Sequence, residues 1–258
     1  MKQRELDLSI ATYGAVKDHR YDVVLLPWGA TEPHNLHLPY LTDCILSHDI
    51  AVDAAQKALA LHNTRCMVMP PVTMGSQNPG QRELNFCVHA RYETQRAILT
   101  DIVSSLHHQG FRRLVIINGH GGNNFKNMIR DLSVDYPDFF IVCGEWFKMA
   151  PAGDFFDNPG DHADEIETSA MMYYHPEWVN LEEAGPGIGH NFTISALRQG
   201  RVWLPRHWNL VSPDDTGIGN PALSTAEKGR RFAEAVTTAY AEFLHQLAQI
   251  NRPEDLYD

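Results

Sequence analysis

Short apolar runs alternate with helix-like segments along the first 145 residues, and this order limits the possible folds more than any other feature. Four of the apolar runs have the length and composition of strands: residues 23–28, 66–72, 114–118 and 139–145. Between them, apolar residues recur at helical spacing in residues 44–61, 92–108 and 125–134. Such alternation is typical of a parallel sheet covered on both faces by its crossover helices. The sequence therefore predicts an α/β fold with a mostly parallel central sheet.

The remainder of the chain adds one long helix and one irregular stretch. With 258 residues, the chain is predicted to form one α/β domain over residues 1–258. A capping box at residues 224–227 predicts the start of the last helix, which runs to about residue 248. Residues 184–221 are rich in Gly and Pro, and include Trp203, His207 and Trp208. This stretch forms either a lid or intersubunit surface, or simply a long covering loop.

Charge and composition restrict the partners. The net charge of −11 argues against nucleic acid or an anionic membrane as a partner. Residues 1–16 carry charges where a signal peptide would have its apolar core, and no apolar run approaches the ~20 residues of a spanning helix. The cysteines, Cys44, Cys66, Cys87 and Cys143, lie in no motif, which favours reduced thiols. We therefore expect a cytoplasmic protein that acts on a small molecule.

Three residues with metal-binding side chains follow the first predicted strand. Glu32, His34 and Asp43 come directly after the apolar residues 23–26. In an extended segment, residues two apart point to the same side, so Glu32 and His34 can face one cavity. Mixed carboxylate and imidazole ligands suit zinc, manganese or iron. Taken alone, however, the segment is equally consistent with a polar turn whose side chains are solvated.

A glycine-rich loop with a single histidine follows the third predicted strand. Residues 112–124 read as a strand, then the loop that contains His120, then the start of a helix. Open α/β sheets place their ligand sites at this carboxyl edge. The glycines allow the backbone to approach the imidazole closely. A phosphate-binding loop is less favoured, because the loop matches neither G-x-G-x-x-G nor the Walker pattern.

A third polar segment, residues 161–169, contains His162, Asp164, Glu165 and Glu167. If a helix begins near Asp164, acids in its first turn are stabilised by the helix dipole. We favour that structural role for Asp164 and Glu165. His162 and Glu167 are the candidates for chemistry in this segment.

Together, the three segments resemble the motifs of the creatininase (creatinine amidohydrolase) family. The first motif is represented by Gly29, Glu32, His34, His37, Leu38, Pro39, Thr42 and Asp43. The second is the complete N-G-H-G-G-N of residues 118–123, and the third comprises residues 162–163 and 167–169. Residues 219–221 and 225–229 also resemble the family's C-terminal G-D-P and T-A-E-K-G elements.

The resemblance implies a two-metal hydrolase on a three-layer αβα sandwich. Glu32 and His120 would bind one metal and His34 the other, with Asp43 bridging the two. Glu167 would complete the second site. The expected cofactors are two divalent ions, of which zinc is favoured over manganese or iron. Creatininase itself has a metal-binding Glu where this chain has Gly122, so the chain follows the N-G-H-G-G-N branch rather than the creatinine-cleaving one.

The implied chemistry is hydrolysis of a non-peptide C–N bond, of the cyclic amide or formamide type, by a metal-activated water. His162 would hand a proton to the departing nitrogen, and we also count Glu167 among the catalytic residues. The alternatives are a family hydrolase that acts on another bond, such as the ring carbonyl of a sugar-derived ketone, or a non-catalytic binding protein. The resemblance also implies a homo-oligomer, with a hexamer as one option.

Departures from the family motifs affect the substrate. Pro33, Asn35 and Leu36 replace the usual residues of the first loop, next to the expected metals. Residues 75–86 also differ from the family's substrate-side segment. In that segment, Gln77 and Asn78 could bind an amide or a sugar hydroxyl, and Arg82 a carboxylate or phosphate, unless the loop is merely polar. The sequence thus defines the reaction type better than the substrate.

Overall fold

Four parallel strands form one sheet in the order β2-β1-β3-β4 in the computed structural model, which describes residues 5–258. Residues 1–4 lie outside the described residues. They belong to the predicted domain and to the N-terminal stretch whose charges argue against a signal peptide. The strands are β1 (Val23–Trp28), β2 (Cys66–Val68), β3 (Arg113–Asn118) and β4 (Phe140–Glu145). All three strand pairings are parallel, so the predicted sheet type is confirmed.

Helices cover both faces of this sheet. They are α1 (Tyr13–Val16), α2 (Thr42–His62), α3 (Tyr92–His108), α4 (Lys126–Asp135), α5 (Glu165–Tyr174), α6 (Ser195–Arg198), α7 (Trp208–Val211) and α8 (Ala226–Gln249). Among residues 5–258, no helix is both long enough and apolar enough to cross a membrane.

The two faces of β1 and β3 belong to two separate cores, because successive side chains of a strand point in opposite directions. Val23 and Leu25 pack into the core under α2, α5 and α8. Val24 and Leu26 pack into the core under α3 and α4. Both faces of the strands are therefore buried, which explains their uninterrupted apolar sequence. The predicted three-layer αβα arrangement is confirmed.

The carboxyl ends of β1 and β3 lie side by side, where Trp28 pairs with Asn118. The loop that follows β1 and the loop that follows β3 therefore leave the sheet at the same edge. These are the loops that carry the first two motifs of the sequence.

Most predicted boundaries differ from the structure by at most two residues, and two of the differences have a clear physical reason. The second strand ends at Val68 rather than at residue 72, because Pro70 and Pro71 have no N–H to donate to a ladder. The capping box predicted at residues 224–227 is not formed, because the helix starts one residue later and its N3 residue is Lys228 rather than Glu227. Thr225 is the N-cap, and its hydroxyl accepts a hydrogen bond from the backbone N–H of Lys228.

Candidate metal centre

The six side chains predicted for the site meet at the carboxyl edge of the sheet. Three elements bring them there: the loop after β1 with the first turn of α2, the loop after β3, and the start of α5. The exposed fractions are 1% for Glu32, 0% for His34, 2% for Asp43, 6% for His120, 7% for His162 and 9% for Glu167. Titratable groups this deeply buried require partners or bound ions.

The ligand atoms form three groups, in each of which all atoms lie within 4.8 Å of one another. The groups are Glu32–Asp43–His120, His34–Asp43–Glu167 and Glu32–His34–His162. Asp43 belongs to the first two groups through different oxygens: Oδ2 lies 3.1 Å from His120 Nδ1, and Oδ1 lies 2.9 Å from His34 Nε2. This geometry matches two metal positions that share Asp43.

Backbone carbonyls orient all three imidazoles. His120 Nε2 lies 2.8 Å from Ser76 O, His34 Nδ1 3.0 Å from Glu32 O, and His162 Nε2 2.8 Å from Pro33 O. Because a carbonyl can only accept, each of these nitrogens carries the proton. The other nitrogen of each ring therefore faces the carboxylates, as it must in order to bind a metal.

Two glycines allow the start of α2 to approach the strand ends. A Cβ on Gly119 would lie 2.3 Å from the backbone oxygen of Asp43. A Cβ on Gly29 would lie 2.6 Å from the Cβ of Asp43. Neither distance is tolerated between these atoms, so both motif glycines are required to place Asp43 between the two loops.

Gly122 occupies the position of the metal-binding Glu that the resemblance assigns to creatininase. A Cβ there would lie 2.2 Å from Ser76 O and 2.4 Å from His120 Nε2. A side chain at this position would break the hydrogen bond that orients His120. Glu167, in the first turn of α5, contributes a carboxylate to the group that also contains His34 and Asp43.

Burial and mutual contacts shift the pKa values of the site. Burial opposes the charged form of His34, but Asp43 outweighs it and raises the His34 pKa to about 10. Burial likewise opposes ionisation of Asp43, yet His34 and His120 lower its pKa. Burial raises the pKa of Glu167 to about 8. Burial, reinforced by His34, lowers the pKa of His162. Protons thus hold the buried charges in balance, a role that metal cations take over when they bind to such groups.

The donor set suits divalent metals. Three carboxylates and two imidazoles from the first two groups would nearly neutralise two divalent cations, and zinc and manganese accept this mixture. Asp43 Oδ2 is buried, and within residues 5–258 it makes no hydrogen bond of good geometry, although His120 Nδ1 lies 3.1 Å away. A metal ion bound to this oxygen and to Nδ1 would satisfy both atoms.

Gln81 is a member of the site that no sequence motif indicated. Its Nε2 donates to Glu32 Oε2 at 2.8 Å, and its Oε1 accepts from the backbone N–H of Asn78 at 2.6 Å. Gln81 is 2% exposed and lies in the short 3₁₀ helix Gln81–Glu83. A separation of 49 residues from Glu32 leaves no local sequence signal for this contact.

A cavity of about 480 Å³ opens onto Glu32, His120 and His162. This volume is typical of a small-molecule site. Gln77 and Asn78 contribute to its wall. Arg82, however, is exposed and is not part of the cavity wall, so its predicted anion-binding role has no structural support.

Glu165 anchors the helix that carries Glu167. Its carboxylate is fully buried, and it pairs with the Lys228 ammonium and accepts from the Asn158 N–H at 2.6 Å. Asp164 is the N-cap of α5, as expected for an acid at a helix start. A Cβ on Gly229 would lie 1.9 Å from Ser169 O, so α8 can pack closely against α5 only with glycine at this position. The C-terminal motif thus supports the site from outside.

Comparison with known proteins agrees with the motifs. A family profile described as creatinine amidohydrolase matches residues 7–244. Over 225 residues the chain is 30% identical to a mycofactocin precursor peptide peptidase of Mycobacterium ulcerans, with 83% of this chain and 81% of the relative covered. It is 25% identical over 240 residues to a 3-dehydro-scyllo-inosose hydrolase of Thermotoga maritima, with coverage of 83% and 74%.

Solved structures show the same fold. A candidate creatinine amidohydrolase from Bacteroides fragilis superposes with a TM-score of 0.95 at 57% identity, over 99% of both chains. A manganese form of creatininase superposes with a TM-score of 0.72 at 20% identity, over 95% of this chain and 99% of that one. A mutant creatininase of Zn–Zn type is similarly related, with a TM-score of 0.71 at 21% identity over 95% of this chain and 98% of that one. The predicted fold and family are confirmed.

Proposed function

The chain belongs to the creatininase family of hydrolases, and on that premise we propose that it is a two-metal amidohydrolase that cleaves a non-peptide C–N bond in a small metabolite. The favoured substrates contain a cyclic amide or a formamide. We propose zinc as the favoured metal, with manganese or iron as alternatives.

The observation that carries this proposal is the sharing of Asp43 between two groups of ligand atoms beside the cavity. One metal would be held by Glu32, Asp43 and His120, and the other by His34, Asp43 and Glu167. A metal pair supplies an acidified water and polarises the substrate carbonyl.

The protein's own groups would manage the protons. His162 Nδ1 lies 3.6 Å from Glu32 Oε1, while its Nε2 is held by the carbonyl of Pro33. The low pKa of His162 leaves Nδ1 unprotonated near neutral pH, so it can accept a proton and later return it to the departing nitrogen. Trp208 contacts the ring of His162 edge-on, with the ring centroids 5.3 Å apart, and limits access of water to it.

The cavity wall favours an amide substrate through Gln77. This residue is 9% exposed, and neither the nitrogen nor the oxygen of its side-chain amide has a hydrogen-bond partner within residues 5–258. An amide left unpaired costs about 1–3 kcal/mol per group. Rotation of the side chain toward the cavity would allow it to pair with the adjacent N–H and C=O of a lactam or formamide.

The relatives differ in the bond they cleave, which defines the alternatives. One is named as a peptide peptidase and another as a hydrolase of an inosose, a ring ketone. An amide-bond substrate is favoured here because Gln77 offers a donor and an acceptor together.

A substrate panel tests this proposal. The zinc-loaded protein should be incubated with lactams, cyclic ureas, formamides, short peptides and cyclic sugar ketones, and the products identified by mass spectrometry. Turnover of a lactam, urea or formamide that is lost in His162→Ala supports the proposal. Turnover of only the peptides or only the ketones would refute it.

The assembly and location follow from the same premise. We propose a homo-oligomer, with a hexamer as one option, that works in the cytoplasm as a single domain over residues 1–258. Light scattering of the purified protein measures the number of subunits.

A further inference from the structure

Asn35, between two histidines of the first motif, connects the metal loop to a distant part of the chain. Its φ of 53° is left-handed, a conformation that Asn tolerates better than most residues. Its side chain is buried: Oδ1 accepts from the Gly185 N–H at 2.8 Å, and Nδ2 donates to Gly185 O at 3.1 Å. Asn35 therefore binds the backbone near the start of residues 184–221. We name residues 184–221 the cover segment.

Thr216 forms a second connection between the same two parts. Its φ is 67°, a left-handed conformation that is unfavourable for a β-branched residue and persists only where the surroundings enforce it. Its hydroxyl accepts from the Asn35 N–H at 3.1 Å. Its carbonyl accepts from the indole N–H of Trp208 at 3.1 Å. Thr216 thus links the metal loop to Trp208.

Asp215 holds the two ends of the cover segment together. Its carboxylate accepts from the Gly187 N–H at 2.8 Å and from the Gly217 N–H at 3.0 Å. It is 4% exposed, and a Cβ on Gly185 would lie 2.2 Å from its Oδ2. The turn around Thr216 and the irregular segment around Gly185 are therefore packed as one unit against Asn35.

The side chains that this unit positions form one wall of the cavity. Trp208 is 4% exposed and meets the ring of His162 at an interplanar angle of 89°. The Arg206 guanidinium lies 5.0 Å from the Trp208 ring and pairs with Asp161 at 2.6 Å. Arg206 and Trp208 both line the cavity.

We propose that Asn35 and Thr216 are positioning residues that hold the cover segment over the cavity and so set the size of substrate it admits. The statement about substrate rests on the proposed function, whereas the holding of the segment does not. Asn35, which departs from the family motif, thus contacts the cover segment, the least regular part of the sequence.

Hydrogen exchange of the metal-loaded protein tests the connection without any substrate. Asn35→Gly keeps the left-handed backbone accessible but removes both bonds to Gly185. We expect peptides from residues 203–219 to exchange about tenfold faster, because each lost bond weakens closure by about two- to tenfold. Asn63→Gly is the matched control, since Asn63 has a φ of 55° at the C-cap of α2, away from the cavity. It should leave exchange of residues 203–219 unchanged.

Variants of Thr216 test the same connection from the other side, without altering the metal loop. Thr216→Gly removes the hydroxyl and relieves the backbone strain, so exchange in residues 203–219 should rise as in Asn35→Gly. Thr216→Ser keeps the hydroxyl and should retain slow exchange. Wild-type exchange in both Asn35→Gly and Thr216→Gly would overturn the proposal. Equal acceleration in the Ser and Gly variants would overturn the role of the hydroxyl.

The effect on substrate is measured separately on any substrate that the panel identifies. Asn35→Gly and Thr216→Gly should keep two metals per chain, raise KM at least about fivefold and lower the preference for small over bulky analogues. An unchanged KM and an unchanged preference, with exchange accelerated, would refute control of substrate size. If the panel yields no substrate, the proposed function fails while the exchange result still decides whether the segment is held.

Discussion

Replacement of Asp43 by Asn tests the shared-ligand geometry most directly. Two of the ligand groups found in residues 5–258 would each hold one metal, and Asp43 is the only carboxylate that belongs to both of them. In Asp43→Asn, each metal site therefore keeps only two of its three carboxylate or imidazole ligands. It also leaves two carboxylates to balance two divalent cations, while the side-chain shape is nearly unchanged.

The expected loss is large at both sites. Removal of a residue that only orients a ligand typically costs about 10–100-fold in metal affinity, so loss of a direct ligand should cost at least about 100-fold, or about 2.7 kcal/mol. Glu167→Gln is the matched comparison, because Glu167 belongs to one group only. We expect two ions per chain in the wild type, one in Glu167→Gln and none in Asp43→Asn.

Elemental analysis after dialysis against metal-free buffer gives the number of ions, and calorimetric titration with zinc gives the affinities. Far-UV circular dichroism confirms that each variant is folded. Two ions bound with wild-type affinity in Asp43→Asn would refute the shared carboxylate. Loss of one ion only would assign Asp43 to a single site.

Three further predictions concern the support of the site. Gln81→Leu should lower metal affinity or turnover about 10–100-fold, because Glu32 loses the donor that orients it; wild-type values of both would contradict this. Lys228→Met should lower the free energy of unfolding, measured in urea, by about 3 kcal/mol, because it leaves the buried Glu165 carboxylate without its cation. The estimate is at the low end for a buried ion pair because the Lys228 side chain is 22% exposed. A loss below about 1 kcal/mol would argue against the pair. Chelation of the metals should lower Tm and added zinc should restore it, because ligands that bind only the folded state stabilise it; an unchanged Tm would exclude metal binding under those conditions.

The sheet could be predicted from the sequence because its strands are buried on both faces. Val23 to Leu26 are apolar without interruption, and they enter two different cores in alternation. The end of β2 could not be predicted so well. Residues 69–72 still run beside β1, where Trp28 bridges to Val72, but Pro70 and Pro71 interrupt the ladder.

The clustering of the candidate ligands was predictable because they occur in short motifs at strand ends and a helix start. The contacts that hold these ligands were not predictable. Gln81 reaches Glu32 across 49 residues, and Asn35 reaches Gly185 across 150. Contacts of this kind depend on tertiary packing, and no periodicity or local spacing reports them. The departure at Asn35 was visible in the sequence, but its partner was not.

The pairing of Trp28 with Asn118 at the ends of β1 and β3 has a consequence for engineering of this protein. Neighbouring strands in a sheet lie about 4.8 Å apart, so the sheet itself sets the distance between the roots of the two ligand loops. Insertions or deletions between residue 28 and Glu32, or between residue 118 and His120, should therefore abolish metal binding. Libraries that seek new substrates belong instead in the cavity-lining residues 203–206, where the sequence can vary without moving that separation.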